Sequence, residues 1–180
     1  MKNLQAKSIY NQLIADKVLL PRGFLNNWCQ ELLLSNEQIN SAFTHAKKCT
    51  RNVFKQVFQY KLCTYILPTN EYLKRYRVTN IDLCSRCGEE KDTIVHRLWE
   101  CEKIVQFLDH ILNEVKAWIS GQTRIDMVEF LFGSDGIESE GTNHFFLEAK
   151  LFLFYDYLEN ENLVSMIKRF YNKVRAVIIR

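Results

Sequence analysis

The stretch that decides the fold is LCSRCGEEKDTIVHRLWEC, Leu83–Cys101. Three of the six cysteines and one of the four histidines fall within it. Their spacing is Cys84-x2-Cys87-x8-His96-x4-Cys101. Cysteine and histidine are the commonest protein ligands of borderline and soft metal ions. This grouping predicts a metal site.

The ligand set and spacing favour zinc. Zinc binds four sulfur or nitrogen ligands in a tetrahedron, and a two-residue gap lets Cys84 and Cys87 bind from one tight turn. Gly88 can adopt the positive φ that such a turn often needs, and His96 and Cys101 supply the other side from the start of a helix. The alternative, buried core thiols and a helical histidine, is weakened because CSRCGEEKD is polar. We predict a closed Cys3His site for Zn²⁺, which is structural because no coordination position remains for water.

Composition predicts an all-α fold, a multi-helix bundle with an inserted Cys3His zinc-binding segment. The 180 residues are 47% hydrophobic and 13% aromatic, enough for a sizeable core, and contain only six glycines and two prolines. Scarce turn residues favour helices joined by short loops. We expect a basic helical subdomain over 1–78, the zinc segment and following helix over 79–120, and C-terminal helices packing on the same core over 121–180. One continuous domain is the alternative.

Apolar spacing places the helices. Ser35 and Gln38 form a capping-box pattern, and Thr50 can cap the long helix that follows. That long helix is apolar around most of its circumference, which predicts a place in the middle of the bundle. GSDGIESEGT, residues 133–142, reads as a loop. The predicted helices are 5–19, 23–34 with Leu33 on its apolar face, 36–46, 50–67, a short helix in EYLKRYRV capped by Thr69 or Asn70, 102–119, 124–132 closed by Gly133, 143–159 and 161–178.

The N-terminal sequence and the apolar runs predict an intracellular protein. MKNLQAKSIYNQL has no apolar core of a signal peptide, and no run is long enough to cross a membrane. Thiols remain reduced in that compartment. We therefore assign Cys29, Cys49 and Cys63 to core packing and expect no membrane partner. His45, His110 and His144 are isolated and receive no role.

Charge is distributed unevenly along the chain, although the formal net charge is only +3. Residues 47–77 carry eight Lys or Arg against the single acid Glu71, whereas residues 78–140 carry thirteen acidic against six basic residues. A basic block is typical of surfaces that bind phosphate backbones, with a solvated helix surface as the alternative. Lys61, in an apolar arc, either extends to solvent or contacts a phosphate.

Aromatic residues accompany the cations at the end of this block. Lys74, Arg75 and Arg77 alternate with Tyr72 and Tyr76, an arrangement suited to stacking beside a backbone, although tyrosine is also a common core residue. The candidate nucleic-acid contacts are Lys47, Lys48, Arg51, Lys55, Lys61, Lys74, Arg75, Tyr76 and Arg77, with Arg86 and Arg97 beside the metal.

Several of these stretches together resemble the C-terminal region of reverse transcriptases from non-LTR (LINE-type) retrotransposons. They are VFQYKLCTYILPTNEYLKRYRV, LCSRCGEEKDTIVHRLWECEKIVQFLDHI, FLFG and NHFFLEAKLFLFYDYLENENL, most specifically within 53–110. The resemblance implies that Cys84, Cys87, His96 and Cys101 are zinc ligands. It also implies an accessory domain that engages element RNA and target DNA during target-primed reverse transcription. The gap of eight before His96 departs from the seven of many members, which affects the loop more than the ligands.

Catalytic motifs are absent from the sequence. No Asp-Asp pair, phosphate-binding glycine loop or His-Glu-x-x-His occurs. We therefore expect the chain alone to catalyse nothing, and to be part of a larger polyprotein or a free-standing descendant. The implied partners are RNA or DNA and the polymerase domains, in the nucleus and cytoplasm. A protein-interaction or scaffolding module, docking through 78–140 or 143–178, is the alternative function.

Overall fold

The structure, a computed structural model, describes residues 27–28, 32–118, 124–135, 139–157 and 161–178. The predicted helix 5–19 lies outside these residues, as does most of 23–34. Leu33 is described, and its expected place on a buried face is wrong. Its backbone has a φ of 53° and its side chain is 89% exposed.

The described residues confirm the all-α class. Seven α-helices alternate with loops and three short helical turns, and in these ranges β pairing is limited to one isolated bridge between Leu83 and Lys91. The turns are π-helical over His96–Glu100 and Phe152–Asp156, and 3-10 over Glu102–Ile104. The α-helices are α1 Asn36–Cys49, α2 Val53–Cys63, α3 Asn70–Arg75, α4 Val105–Trp118, α5 Met127–Phe132, α6 Ser139–Leu151 and α7 Leu163–Ile178.

Side-chain caps fix the starts of several helices, and three of them bear on the predictions. The predicted capping box of Ser35 and Gln38 is confirmed at α1. The prediction that Thr50 caps the next helix is wrong, because Asn52 Oδ1 accepts the N–H of Phe54 at 3.0 Å and begins α2 there. Thr69 caps α3 through the N–H of Tyr72, at 3.3 Å.

Two predicted boundaries are corrected by local backbone geometry. The helix expected to reach Leu67 ends at Cys63, and Tyr65 follows with a φ of 58°. α6 begins at Ser139, inside the stretch expected to be a loop. Gly133 closes α5 as predicted, with a φ of 89°.

The prediction that α2 lies in the middle of the bundle is wrong. α2 packs on α1 and α6 through one face only. Its buried side chains are Lys55, Phe58, Gln59, Leu62 and Cys63. Its exposed apolar side chains are Val53, Phe54, Val57 and Tyr60. A broad apolar arc does not show which part of the helix surface will pack against other helices. Here Lys55 and Gln59 are buried, whereas the rings of Phe54 and Tyr60 are exposed.

One hydrophobic core runs through the described segments. It contains residues from every part of the chain that the structure describes, and its largest fully buried side chains include Trp28, Phe58, Phe107, Phe130, Phe146, Phe152 and Phe170. Trp28 donates from Nε1 to the carbonyl of Leu62 at 3.1 Å, which satisfies its polar edge within the core. No described helix combines the length and the apolar composition that a membrane crossing requires.

A buried lysine joins three helices inside this core. Lys150 on α6 donates to Gln59 Oε1 at 2.8 Å and to the carbonyl of Leu131 at 2.7 Å. Gln59 in turn donates to the same carbonyl at 2.9 Å. Burial lowers the pKa of Lys150 to about 7 because the charged ammonium is desolvated. A neutral amine has two N–H bonds, and here they can be donated to Gln59 Oε1 and the carbonyl of Leu131. The uncharged form of Lys150 therefore has all its hydrogen bonds satisfied.

Candidate metal centre

A tight hairpin positions the first two ligands. The N–H of Cys84 donates to the carbonyl of Glu90 at 2.7 Å, and the N–H of Gly88 donates to the carbonyl of Cys84 at 2.8 Å. Gly88 has the predicted positive φ, 75°. The turn therefore brings Cys84 and Cys87 to one side of a compact loop, as the two-residue gap predicted.

The π-helical turn positions the other two ligands. The N–H of Cys101 donates to the carbonyl of His96 at 2.9 Å, which closes a wide i to i+5 turn. In an ordinary α-helix, residues five apart point about 140° away from each other. The extra residue in the π turn reduces that angle and lets His96 and Cys101 face the same point.

The four predicted ligands are brought together. One ligand atom from each of Cys84, Cys87, His96 and Cys101 lies within 4.8 Å of all the others. The Sγ atoms of Cys84 and Cys101 are 3.9 Å apart, and Cys87 Sγ is 3.4 Å from His96 Nε2. Tetrahedral zinc at its usual bond lengths requires sulfur–sulfur edges of about 3.8 Å and sulfur–nitrogen edges of about 3.5 Å. The cluster is close enough to hold one metal ion and is consistent with zinc.

The surroundings of the thiols differ between the two halves of the cluster. Burial raises the pKa of Cys101 to about 12, and the thiols of Cys84 and Cys87 add to that effect. Burial also acts to raise the pKa of Cys87, but the backbone N–H groups of Glu90 and Glu89 outweigh it and lower the pKa. Since a metal binds thiolates, its binding would release protons from this site.

Acidic side chains surround the accessible side of the cluster. Glu89, Glu90, Glu100 and Glu102 are exposed. Together with Cys87 and His96 they line a shallow pocket of about 340 Å³. A phosphate backbone would be repelled by this ring of carboxylates. The open face of the cluster is therefore a poor nucleic-acid surface.

Asp92 connects the metal cluster to the basic segment. Its fully buried carboxylate accepts the N–H of Asn70 at 2.7 Å and the Nε–H of Arg97 at 2.7 Å, and a second N–H of Arg97 completes the ion pair. Asn70 Nδ2 also donates to the carbonyl of Leu83 at 2.8 Å. The first residue of α3 is thus bonded to both sides of the hairpin, at Leu83 and at Asp92. No sequence pattern distinguished Asp92 from the acids around it.

Three of the cations predicted to contact nucleic acid are engaged inside the fold. Lys55 is buried and paired with Glu148, and Arg97 is paired with Asp92. Arg86 donates to the carbonyls of Arg97 and Leu153 and lies over a tyrosine ring, Tyr157, at 4.4 Å. Sequence analysis placed these charges on a contact surface because exposure could not be read from residue type. In this structure the two arginines hold the π turns in place, and Lys55 holds α2 to α6.

The other predicted contacts remain at or near the surface. Lys74 is paired with Asp82 at 2.9 Å and Arg75 with Glu71 at 3.2 Å, and both cations are exposed. Tyr76 is exposed and its ring centroid is 4.7 Å from that of Tyr72. The remaining cations form no ion pair within the described part of the chain, and all are exposed except the half-buried Lys61. They are Lys47, Lys48, Arg51, Lys61 and Arg77.

The structure confirms the core position of Cys63 and gives His45, which had no predicted role, two partners. Cys63 is buried in the core and Cys49 is half-buried against it, whereas Cys29 lies outside the described residues. His45 has a role that the sequence did not indicate: its Nδ1 is 2.9 Å from the carbonyl oxygen of Phe132, and its Nε2 is 2.9 Å from Asp135. It connects α1 to the end of α5.

Comparisons with known proteins return no family model, no curated protein and no solved structure that matches this chain.

Proposed function

We propose that this chain is a non-catalytic nucleic-acid-binding domain of the non-LTR reverse transcriptase type, held together by a structural zinc ion. The observation that carries the proposal is the bond between Asp92 and Asn70, which joins the metal-binding hairpin to the cation-bearing helix α3. Zinc bound by Cys84, Cys87, His96 and Cys101 would order the hairpin. The hairpin would then hold α3 in position for phosphate contacts.

The distribution of charge supports this separation of roles. Exposed cations that lack an acidic partner within the described residues occur at Lys47, Lys48, Arg51 and Arg77. The carboxylates surround the metal pocket instead. Phosphates would therefore bind beside the zinc segment, not on it. In the parent polyprotein the ligand would be element RNA, target DNA or both during target-primed reverse transcription.

Zinc would supply no catalysis in this arrangement. Four protein ligands complete a tetrahedron and leave no position for an activated water. The ion's contribution is the folding free energy of the hairpin and the π turn. Polymerisation would belong to the polymerase domains of the same polyprotein, which are the expected protein partners.

A binding titration tests the proposal. Zinc-loaded protein is titrated against fluorescently labelled single-stranded RNA, duplex DNA and an RNA–DNA hybrid at low and physiological salt. We expect binding that weakens steeply with salt. Changing Lys74, Arg75 and Arg77 together to alanine should reduce the salt slope, by about one unit for each phosphate that these side chains bind.

The matched control changes three cations of the acidic part, the exposed Lys91 and Lys103 and the half-buried Lys116, to alanine. That variant has the same reduction in formal charge, so equal decreases in affinity for the two variants would mean that α3 is not the contact surface. Wild-type protein that binds none of the three ligands at low salt would refute nucleic-acid binding altogether.

A protein-interaction module is the second candidate, favoured by apolar side chains beside the hairpin. Val78, Ile81 and Leu83 are 70%, 62% and 41% exposed. They lie in the part of the chain between α3 and the metal ligands. If this surface docks a polymerase domain of the same polyprotein, wild-type chain will bind that domain and an Ile81→Ser variant will not.

A further inference from the structure

An aromatic ridge runs along the exposed face of α2. Val53, Val57 and Tyr60 follow one another at helical spacing, and Phe54 lies beside them. Phe54 is 60% and Tyr60 50% exposed. We call these four residues the α2 ridge. Val53, Val57 and Tyr60 share one face of the helix and Phe54 borders it, so the four form a contiguous exposed apolar surface, which indicates a binding surface.

Each side of the α2 ridge is bordered by a groove that contains another ring. On one side Phe54 lies 5.7 Å from Tyr155, centroid to centroid, above a groove of about 300 Å³ floored by Phe152 and Phe170. On the other side Tyr60 lies 5.7 Å from Phe43, beside a groove of about 290 Å³. Both volumes are at the lower end of the range for small-ligand sites, about 300–1,000 Å³.

Unpaired cations lie next to this ridge. Lys61 follows Val57 by one helical turn, Arg51 precedes the ridge, and Lys47 lines the same groove as Tyr60. None of the three forms an ion pair within the described residues. The nearby carboxylates are already neutralised: Glu148 is paired with Lys55, and Asp156 with Lys173. The local charge that remains for a ligand is positive.

We propose that the α2 ridge stacks unpaired bases of single-stranded nucleic acid, while Lys47, Arg51 and Lys61 contact the adjacent phosphates. Alternating rings and cations along a groove are the arrangement by which proteins hold single strands without reading their sequence. This inference rests on the proposed function and adds a second surface and a ligand class to it. Tyr72 and Tyr76, the rings expected to stack bases, lie on the first surface, with their ring centroids 4.7 Å apart.

The composition of the ridge argues for a base over an apolar protein helix. Its largest exposed side chains are rings, and the cations beside it form no ion pair within the described residues. A protein partner would need only apolar area, whereas a base needs a flat π face. Leucine in place of the rings retains the apolar character and removes the π face, so it separates the two ligands.

The test uses the zinc-loaded chain and a fluorescently labelled oligouridylate, with a duplex DNA of the same length as the comparison. Phe54→Leu and Tyr60→Leu together should weaken oligouridylate binding by roughly fivefold to a hundredfold and leave duplex binding unchanged. Phe54→Tyr with Tyr60→Phe should restore it. Both rings are half or more exposed, so all variants should retain the circular dichroism spectrum and the zinc content of the wild type.

Each outcome separates this inference from the proposed function. If the leucine variant binds oligouridylate as wild type does, while the Lys74, Arg75 and Arg77 variant binds more weakly, the ridge is not a stacking site and nucleic-acid binding stands. If the leucine variant loses affinity for oligouridylate and duplex equally, stacking is also wrong, since a duplex offers no unpaired base. If wild type binds neither ligand, both proposals fail.

Discussion

The carboxylate of Asp92 accepts the backbone N–H of Asn70 at 2.7 Å while it also pairs with Arg97. One buried acid therefore links the first turn of α3 to the π turn that carries His96, a member of the Cys/His cluster. The sequence separates Asp92 from Asn70 by an entire hairpin, so this bond closes a loop that contains two of the four ligands. Through this bond, the position of α3 depends on whether the Cys/His cluster keeps its structure.

Replacement of Asp92 should be costly. Asp92→Asn preserves shape but leaves the largely buried Arg97 guanidinium without its counter-ion, and removing one partner of a buried pair costs about 3–5 kcal/mol. Urea unfolding should show a loss of that order. Glu71→Gln, which breaks the more exposed pair with Arg75, is the control and should cost less than about 1 kcal/mol. Similar small losses in both variants would contradict a central role for Asp92.

Loss of one ligand should remove the metal. Purified without chelator, the wild-type chain should contain about one zinc ion, and Cys87→Ser should reduce that content to near zero because a closed site needs all four ligands. A chelator should lower the thermal midpoint of the wild type. Cys49→Ser, a half-buried cysteine outside the cluster, is the control and should retain zinc. A metal-free wild type, or a Cys87→Ser variant that keeps its zinc, would refute the structural metal.

Metal removal should also loosen α3. Hydrogen exchange of the amide of Asn70, which donates to Asp92, should accelerate when zinc is stripped. The amide of Phe54, bonded to Asn52 at the start of α2, lies in another part of the fold and should change little. Equal acceleration at both positions would indicate global unfolding, and no change at Asn70 would show that the hairpin holds α3 without the metal.

The buried Lys150 should make stability depend on pH. Burial lowers its pKa from 10.5 to about 7, so between these values the unfolded chain binds a proton that the folded chain does not. The free energy of unfolding contributed by this residue therefore rises with pH from about 7 to about 10.5, by at most about 1.4 kcal/mol per pH unit, and is constant below about 7. The groups facing it are Gln59, the thiols of Cys49 and Cys63, and the carbonyl of Leu131.

Lys150→Met isolates that contribution. The difference in unfolding free energy between wild type and Lys150→Met should increase between about pH 7 and pH 9 and stay level between about pH 5 and pH 6. Titrating groups that do not face Lys150 are common to both proteins and cancel. A difference that is flat across the whole range would mean that Lys150 stays charged in the fold.

Alanine substitutions at three glycines should differ in their effect on stability, because one site is crowded, one has only a strained backbone and one has neither. At Gly133, φ is 89° and an added Cβ would lie 2.6 Å from His45 Nδ1 and 2.7 Å from Asn143 Oδ1, so Gly133→Ala should cost about 3 kcal/mol or more. At Gly88 an added Cβ would lie in open space, so Gly88→Ala should cost only the backbone strain of a φ of 75°, about 1–2 kcal/mol of stability. Gly141→Ala, in an open helical position, should stabilise by about 0.5–1 kcal/mol. Thermal unfolding that does not follow this order would contradict the packing around His45.

The grouping of the four Cys and His residues could be predicted because it is set by local structure. Cys84 and Cys87 share one turn, and His96 and Cys101 share another, so residue type and spacing were sufficient. The capping box at Ser35 was predictable for the same reason. Burial of Lys55 and Lys150 was not, because each depends on partners about ninety residues away in sequence. No periodicity encodes such a partner.

Sequence periodicity also failed to predict which apolar residues of α2 are buried. Phe54 and Phe58 are both phenylalanines on one helix, yet Phe58 is buried and Phe54 is exposed. Apolar spacing identified the helix and its broad arc, but the choice of face depends on where α1 and α6 pack. That choice is a tertiary property, and it left rings in solvent that the sequence assigned to the core.

The π turn at His96–Glu100 has a consequence for how this segment tolerates insertions and deletions. The turn holds one residue more than an α-helical turn, and the bond from Cys101 to His96 depends on that extra residue. Deleting one residue between them would leave the two ligands four apart, which an ordinary α-helical turn brings to one face, whereas adding one residue would separate them by six positions, about 120° apart around a helix. Every ligand would still be present in the longer sequence. The chain would carry the full motif and yet be unable to close the tetrahedron, so in this segment length is as much a determinant of metal binding as residue identity.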